Sequence, residues 1–168
     1  MDIEKFRQQF HGVRANRYEI AFASNLNVLS GELTKLYVKA LSVPGSNIGM
    51  IPVSFQGRQI KFSGERQFNE WSFTCYDSND KRIRNSLEEW IDKMDSVVEH
   101  RVNYDVSEEW TVKYNDMSTT SSGTTNARGF KLFNCWPIDI SPIDLSYDMV
   151  DSFAEFTVTV AYDYHKPI

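Results

Sequence analysis

Residues 51–76 read IPVSFQGRQIKFSGERQFNEWSFTCY. Two segments in them alternate with period two: Ile60 and Phe62 against Gln59 and Lys61, then Trp71, Phe73 and Cys75 against Ser72, Thr74 and Tyr76. Successive side chains of a strand point to opposite sides, so this spacing predicts two β-strands, each with one apolar face. Glycine and polar residues punctuate them at Gly57-Arg58 and at Ser63-Gly64-Glu65-Arg66, which predicts a turn at each place. Nothing in the stretch has the neighbours that catalysis requires, so it reads as scaffold.

The same period recurs on both sides. Tyr18, Ile20 and Phe22 alternate with Arg17, Glu19 and Ala21; Leu36, Val38 and Ala40 alternate with Lys35, Tyr37 and Lys39 and stop at Pro44-Gly45. These make two strands joined by a loop over Asn25 to Glu32. Further on, Trp110, Val112 and Tyr114 form a strand, Phe130 and Leu132 begin another that runs towards Trp136-Pro137, and Phe156, Val158, Val160 and Tyr162 form the last. One helix is expected over about 79–100, where Ile83, Leu87, Trp90, Ile91, Met94 and Val98 recur at helical spacing. Ser78, Asn79 or Asp80 is placed to cap its start, and His100 or Arg101 lies near its negative end. Residues 1–16 form a polar leader and 115–128 a mobile Ser/Thr-rich loop. The pattern as a whole predicts one mainly β domain over 1–168, an antiparallel sandwich or barrel with a flanking helix.

Composition limits the function. A chain of 168 residues with 41% hydrophobic and 14% aromatic content can build a packed core. A formal net charge of -5 argues against a surface tuned to hold phosphates. The only short basic run, Lys81-Arg82 with Arg84, sits where the helix begins. The first residues lack the pattern of a signal peptide, and no apolar run approaches the ~20 residues of a membrane span, so synthesis in the cytosol without membrane insertion is expected. Cys75 and Cys135 lie far apart in apolar or aromatic segments and read as small buried hydrophobes.

No catalytic, cofactor or metal constellation emerges. His11, His100 and His165 are scattered, and Gly45-Ser46-Asn47-Ile48-Gly49 lacks the phosphate-binding lysine and reads as a turn. Asp139, Asp144, Asp148, Asp151 and Glu155 fit no calcium-loop spacing. Trp71, Trp110 and Trp136 are expected as core anchors. Arg58 and Arg66 each follow a turn glycine closely. Either each pairs with a nearby carboxylate and fixes its turn, or both reach across a subunit boundary, where the planar guanidinium gives oriented, charge-assisted contacts.

Ile51-Pro52-Val53, Gly57-Arg58, Gly64-Glu65-Arg66, Phe68 and Trp71, at these spacings, closely resemble the tail tube proteins of contractile-tailed (myovirus, T4-like) bacteriophages. The resemblance includes Leu41 to Gly45, Trp136-Pro137, Ile143 to Asp148 and Phe156 to Asp163, and is weakest over 103–128. It implies a β-sandwich that assembles as a hexameric ring, with hairpins from all subunits joined in one barrel around a lumen and rings stacked into the inner tail tube of the virion. It further implies a sheath around the tube, baseplate and tail terminator proteins at its ends, and a tape measure protein and DNA that pass through the lumen without specific binding. A neutral or negative lumen would suit that passage. Ile51 to Tyr76 would form the ring framework, and loops at Ser46, Asn47, Ile48 and Met50 and over 115–128 would contact neighbouring subunits or rings. The alternatives are the tube of a tailocin or other contractile injection device and, in a different class, a monomeric β-sandwich that binds ligand or carbohydrate on Tyr37 or Tyr76.

Overall fold

The computed structural model describes residues 3–5, 15–16, 18–22, 37–97, 101–103, 107–115 and 127–168. The strands are β1 (Tyr18–Phe22), β2 (Val38–Leu41), β3 (Ser46–Phe55), β4 (Arg58–Phe68), β5 (Trp71–Tyr76), β6 (Asp95–Ser96), β7 (Arg101–Val102), β8 (Glu108–Asn115), β9 (Ala127–Ile140), β10 (Glu155–Ala161) and β11 (Tyr164–Pro167), and helix α1 (Arg82–Met94) lies between β5 and β6. Antiparallel ladders run in the order β1-β8-β9-β10-β5-β2, and β11 joins them by pairing with β9.

The long strand β9 serves two sheets. Its first part lies between β8 and β11, with Leu132 opposite both Trp110 and His165. Its last part pairs with β10, which continues to β5 and β2. Between these parts Asn134 takes a positive φ of 59°, a conformation asparagine tolerates better than most residues. Ser107 donates to the Asn134 amide oxygen at 2.6 Å, and the Asn134 amide nitrogen donates to Asp163 at 2.7 Å, which holds the bend. Pro137 follows inside the strand, although proline cannot donate to a ladder. It faces Val160 at a register shift between Thr159 and Val160, where a missing donor is tolerated.

The two sheets close on one core. Ile20, Trp110, Val112 and Leu132 on one side meet Trp71, Phe73, Phe156, Val158 and Val160 on the other, and α1 adds Ile83, Leu87 and Trp90. Trp110 sits at the centre, with ring centroids 5.5 Å from Trp90, 5.9 Å from Phe73 and 6.2 Å from Trp71. Burial of rings of this size dominates core energetics. Trp71 and Trp110 are buried, as their sequence context implies, whereas Trp136 is only half-buried at the core's margin. Cys75 and Cys135 are free thiols in the core, and burial pushes both up to about 12.

Several sequence expectations need correction. The helix is shorter than 79–100 because Asp95 is already extended and the chain enters the β6–β7 ladder, with the Asn103 amide donating to the Met94 carbonyl. The N-cap position is held by Lys81 in the left-handed region and without a side-chain cap, while the Asp80 carboxylate just before it accepts from the Ser78 hydroxyl and from the Arg82 backbone amide. Asp80 also pairs with Arg82 at 2.8 Å. The segment after Tyr162 forms β11, so β10 is not the last strand. Strand β1 pairs with β8 rather than β2, and the loop proposed over Asn25 to Glu32, like His11 and His100, lies outside the described residues. Of the proposed mobile loop, Asn115 and Ala127 pair as ladder partners, while 116–126 lie outside the described residues. No helix among the described residues is long and apolar enough to cross a membrane.

Candidate assembly interface

The feature that stands apart from the sandwich is the hairpin β3–β4. It pairs from Ser46 opposite Phe68 to Phe55 opposite Arg58 and forms a two-stranded sheet of its own. Its tip is a two-residue turn with Gln56 at φ 46° and Gly57 at φ 77°, the positive-φ geometry that matches the twist of the flanking strands. Gly57 therefore has a backbone reason to be glycine. The second proposed turn, at Ser63-Gly64-Glu65, does not exist, because β4 runs straight through it. What the glycine supplies there is close approach: a Cβ on Gly64 would lie 3.0 Å from the carbonyl carbon and oxygen of Gly49 on the facing strand. The ladder shifts register here, between Ile48 and Met50. Ser46, Asn47, Ile48 and Met50, expected in a loop, are thus strand residues of β3.

Direct partners across a ladder share a face, so Ile51, Val53, Phe55, Ile60 and Phe62 line one side of the hairpin, with Arg58 at the tip. The opposite side carries Met50, Pro52, Ser54, Gln59, Lys61 and Ser63. The sequence period predicted the apolar face but not its exposure: Phe55 remains 59% and Phe62 55% exposed. Each strand also keeps an outer edge without a ladder partner among the described residues, which is the usual invitation to pair with another chain. Neither Arg58 nor Arg66 has a carboxylate within salt-bridge distance among the described residues, so the intramolecular pairing considered for them is absent.

The hairpin root is fastened to the sandwich. Phe68 packs edge-on against His165 at 5.0 Å and lies 6.1 Å from Tyr162, and Phe130 also meets His165 edge-on at 5.4 Å. Burial, and then the nearby Arg66 guanidinium, hold His165 below its ordinary pKa. Trp71 begins β5 and donates from its indole nitrogen to the Ser42 carbonyl at 2.5 Å, tying both chain ends of the hairpin to one place. Of the framework residues, Gly57, Gly64, Ile51 and Pro52 lie in the hairpin, Phe68 and Trp71 at its root, and Trp136 and Pro137 in the sandwich opposite β10.

A second exposed apolar element was not legible as such. Residues 141–154 connect β9 to β10 as an arm, where the sequence drew notice for its acids and for the motif from Ile143 to Asp148 but not for an exposed apolar surface. Leu145 is 84%, Val150 83% and Phe153 84% exposed. Between arm and sheet lies a cleft of about 680 Å³ lined by Tyr76, Asp144, Leu145, Met149, Asp151 and Phe153, among others. An ion pair between Lys39 and Glu155 sits at its margin. Among the described residues no three His, Cys, Asp or Glu side chains are grouped to hold a metal ion.

Comparison with known proteins agrees with this anatomy. The model of a family described as phage tail tube protein matches residues 9–167. The tail tube protein gp19 of Enterobacteria phage T4 is 23% identical over 130 residues, covering 75% of this chain and 77% of that protein. The tail tube protein of Serratia phage KSP90 is 21% identical over 152 residues, covering 89% and 85%. Among solved structures, a chain of the extended sheath–tube complex of the extracellular contractile injection system PVC superposes with a TM-score of 0.66, at 14% identity, over 100% of this chain and 98% of that one, which shows a shared fold. With the family model spanning nearly its whole length and the fold in accord, the chain belongs to the phage tail tube protein family, structural components of the virion tail.

Proposed function

We propose that this protein is the ring subunit of the inner tube of a contractile tail: six copies close into a ring, rings stack into a hollow tube, and DNA passes through the lumen. The reading assigns it no catalytic step. The observation that carries it is the hairpin β3–β4, with one exposed apolar face, a more polar opposite face and no ladder partner at either outer edge among the described residues. A two-stranded ribbon is marginal in water by itself, and closing copies of it into a barrel removes the free edges. Opposite the apolar face, Lys61 lies beside Ser54, Gln59 and Ser63, so that stretch of the hairpin carries no negative charge.

In this reading Arg58, Arg66, Ser46, Asn47, Ile48 and Met50 meet neighbouring subunits, and rigidity comes from ladders that cross subunit boundaries. The partners are further copies of the chain, a sheath around the tube, and baseplate and terminator proteins at its ends, with the tape measure protein and DNA as transient occupants of the lumen. Electron microscopy of the purified protein over a concentration series tests the reading. Hollow rings or tubes with sixfold end views are expected; a chain that stays monomeric at every concentration and with sheath and baseplate present refutes it. Replacing Arg66 with alanine removes charge-assisted contacts worth about 1.5–3 kcal/mol and should reduce tube yield while monomer melting is unchanged. Unaltered yield would remove Arg66 from the interface.

A further inference from the structure

The two uncovered apolar elements stand at opposite ends of the same strands. The hairpin joins β5 at Trp71, opposite Val160, whereas the arm leaves β9 at Ile140 and enters β10 at Glu155, opposite Tyr76 at the far end of β5. Their roots are separated by the length of β5, about 17 Å for six extended residues. Their charges are opposite. The hairpin has Arg58, Lys61 and Arg66 against Glu65, while the arm has Asp144, Asp148 and Asp151 and no basic residue. None of Arg58, Lys61, Asp144 and Asp151 has an ion-pair partner among the described residues. At the tip, Phe55 and Arg58 are direct ladder partners, so an apolar ring and a guanidinium project side by side. The cleft beneath the arm offers the complement, with Leu145, Met149 and Phe153 as apolar wall and Asp144 and Asp151 as anions.

We propose that the hairpin tip of one subunit, through Phe55 and Arg58, seats in the arm cleft of a second copy of this chain. The contact joins unlike surfaces, so it repeats from copy to copy and suits an assembly that closes into rings or continues along a stack. Burying Phe55 against the arm removes apolar surface from both copies, and Arg58 between Asp144 and Asp151 sets the register. The proposal rests on the tube reading and adds to it a specific pair of surfaces.

Charge exchange tests it. Arg58→Glu alone, and Asp144→Arg with Asp151→Arg alone, are each expected to raise the concentration needed for tube assembly ~10-fold or more, and a chain carrying all three changes to return within ~3-fold of wild type. Monomer melting serves as the folding control. In a second measurement, chains carrying Phe55→Cys and chains carrying Met149→Cys are mixed, assembled and oxidised. The native thiols are buried and do not compete. A disulfide-linked dimer that needs both variants is expected. Wild-type tubes with neither rescue nor cross-link overturn the contact while leaving the tube reading intact; wild-type chains that never assemble remove both.

Discussion

Gly64→Ala is the most informative single substitution. The new methyl carbon would lie 3.0 Å from both the carbonyl carbon and oxygen of Gly49. These are backbone atoms, so no side chain can swing away; the two strands must separate at the register shift next to Ile48 and Met50. Overpacking of this kind costs about 1–3 kcal/mol. The penalty falls on the hairpin and not on the sandwich, because β3 and β4 pair only with each other among the described residues. An isolated two-stranded ribbon has little stability to spare, so a cost of that size shifts the free subunit towards an unpaired hairpin. At 1.4 kcal/mol per tenfold, the fraction of competent subunits should fall ~5- to ~140-fold, and the concentration needed for assembly should rise in proportion. Light scattering over a concentration series reads that shift, and amide hydrogen exchange over 46–68 reads the hairpin directly. Unchanged exchange and unchanged assembly would refute the close-approach argument. Equal loss of stability in the sandwich would refute the separation of hairpin from core.

Trp90→Ala should destabilise the whole fold by about 3–5 kcal/mol in urea titrations, since it deletes a fully buried ring between α1 and Trp110. His165 contributes a defined pH dependence. Its folded pKa is depressed below the unfolded value near 6.5, so the unfolded chain binds the proton more readily; the contribution is whole above about 6.5 and is lost as pH falls through the folded pKa. Melting temperature against pH should therefore fall more steeply below that point in the wild type than in His165→Phe, and parallel curves would exclude His165 as the source. Cys75 and Cys135, with thiols pushed up to about 12, should resist thiol reagents at pH 8 in the folded protein and react on unfolding. Fast reaction of the native chain would contradict their burial.

Local order was legible in the sequence because it follows from short-range geometry. The alternation of Trp71, Phe73 and Cys75 against Ser72, Thr74 and Tyr76 corresponds to β5, and that of Phe156, Val158 and Val160 to β10, with their alternate residues buried. The helical spacing of Ile83, Leu87 and Trp90 set the inward side of α1. Composition argued against a phosphate-binding surface, and the order of motifs around Gly57, Gly64, Phe68 and Trp71 pointed to the family that the match over residues 9–167 establishes. Periodicity names a face without saying what covers it. Ile60 and Phe62 alternate as Val158 and Val160 do, yet the first pair is exposed on a projecting hairpin and the second is in the core. That difference depends on which strands pair, a long-range choice: β9 bends at Asn134 to serve both sheets, while β3 finds no neighbour but β4 among the described residues. The Gly49–Gly64 approach, the shortened helix and the apolar arm opposite the hairpin likewise arise from contacts between distant segments, and only the tertiary structure could decide them, because side-chain period is local and burial is not.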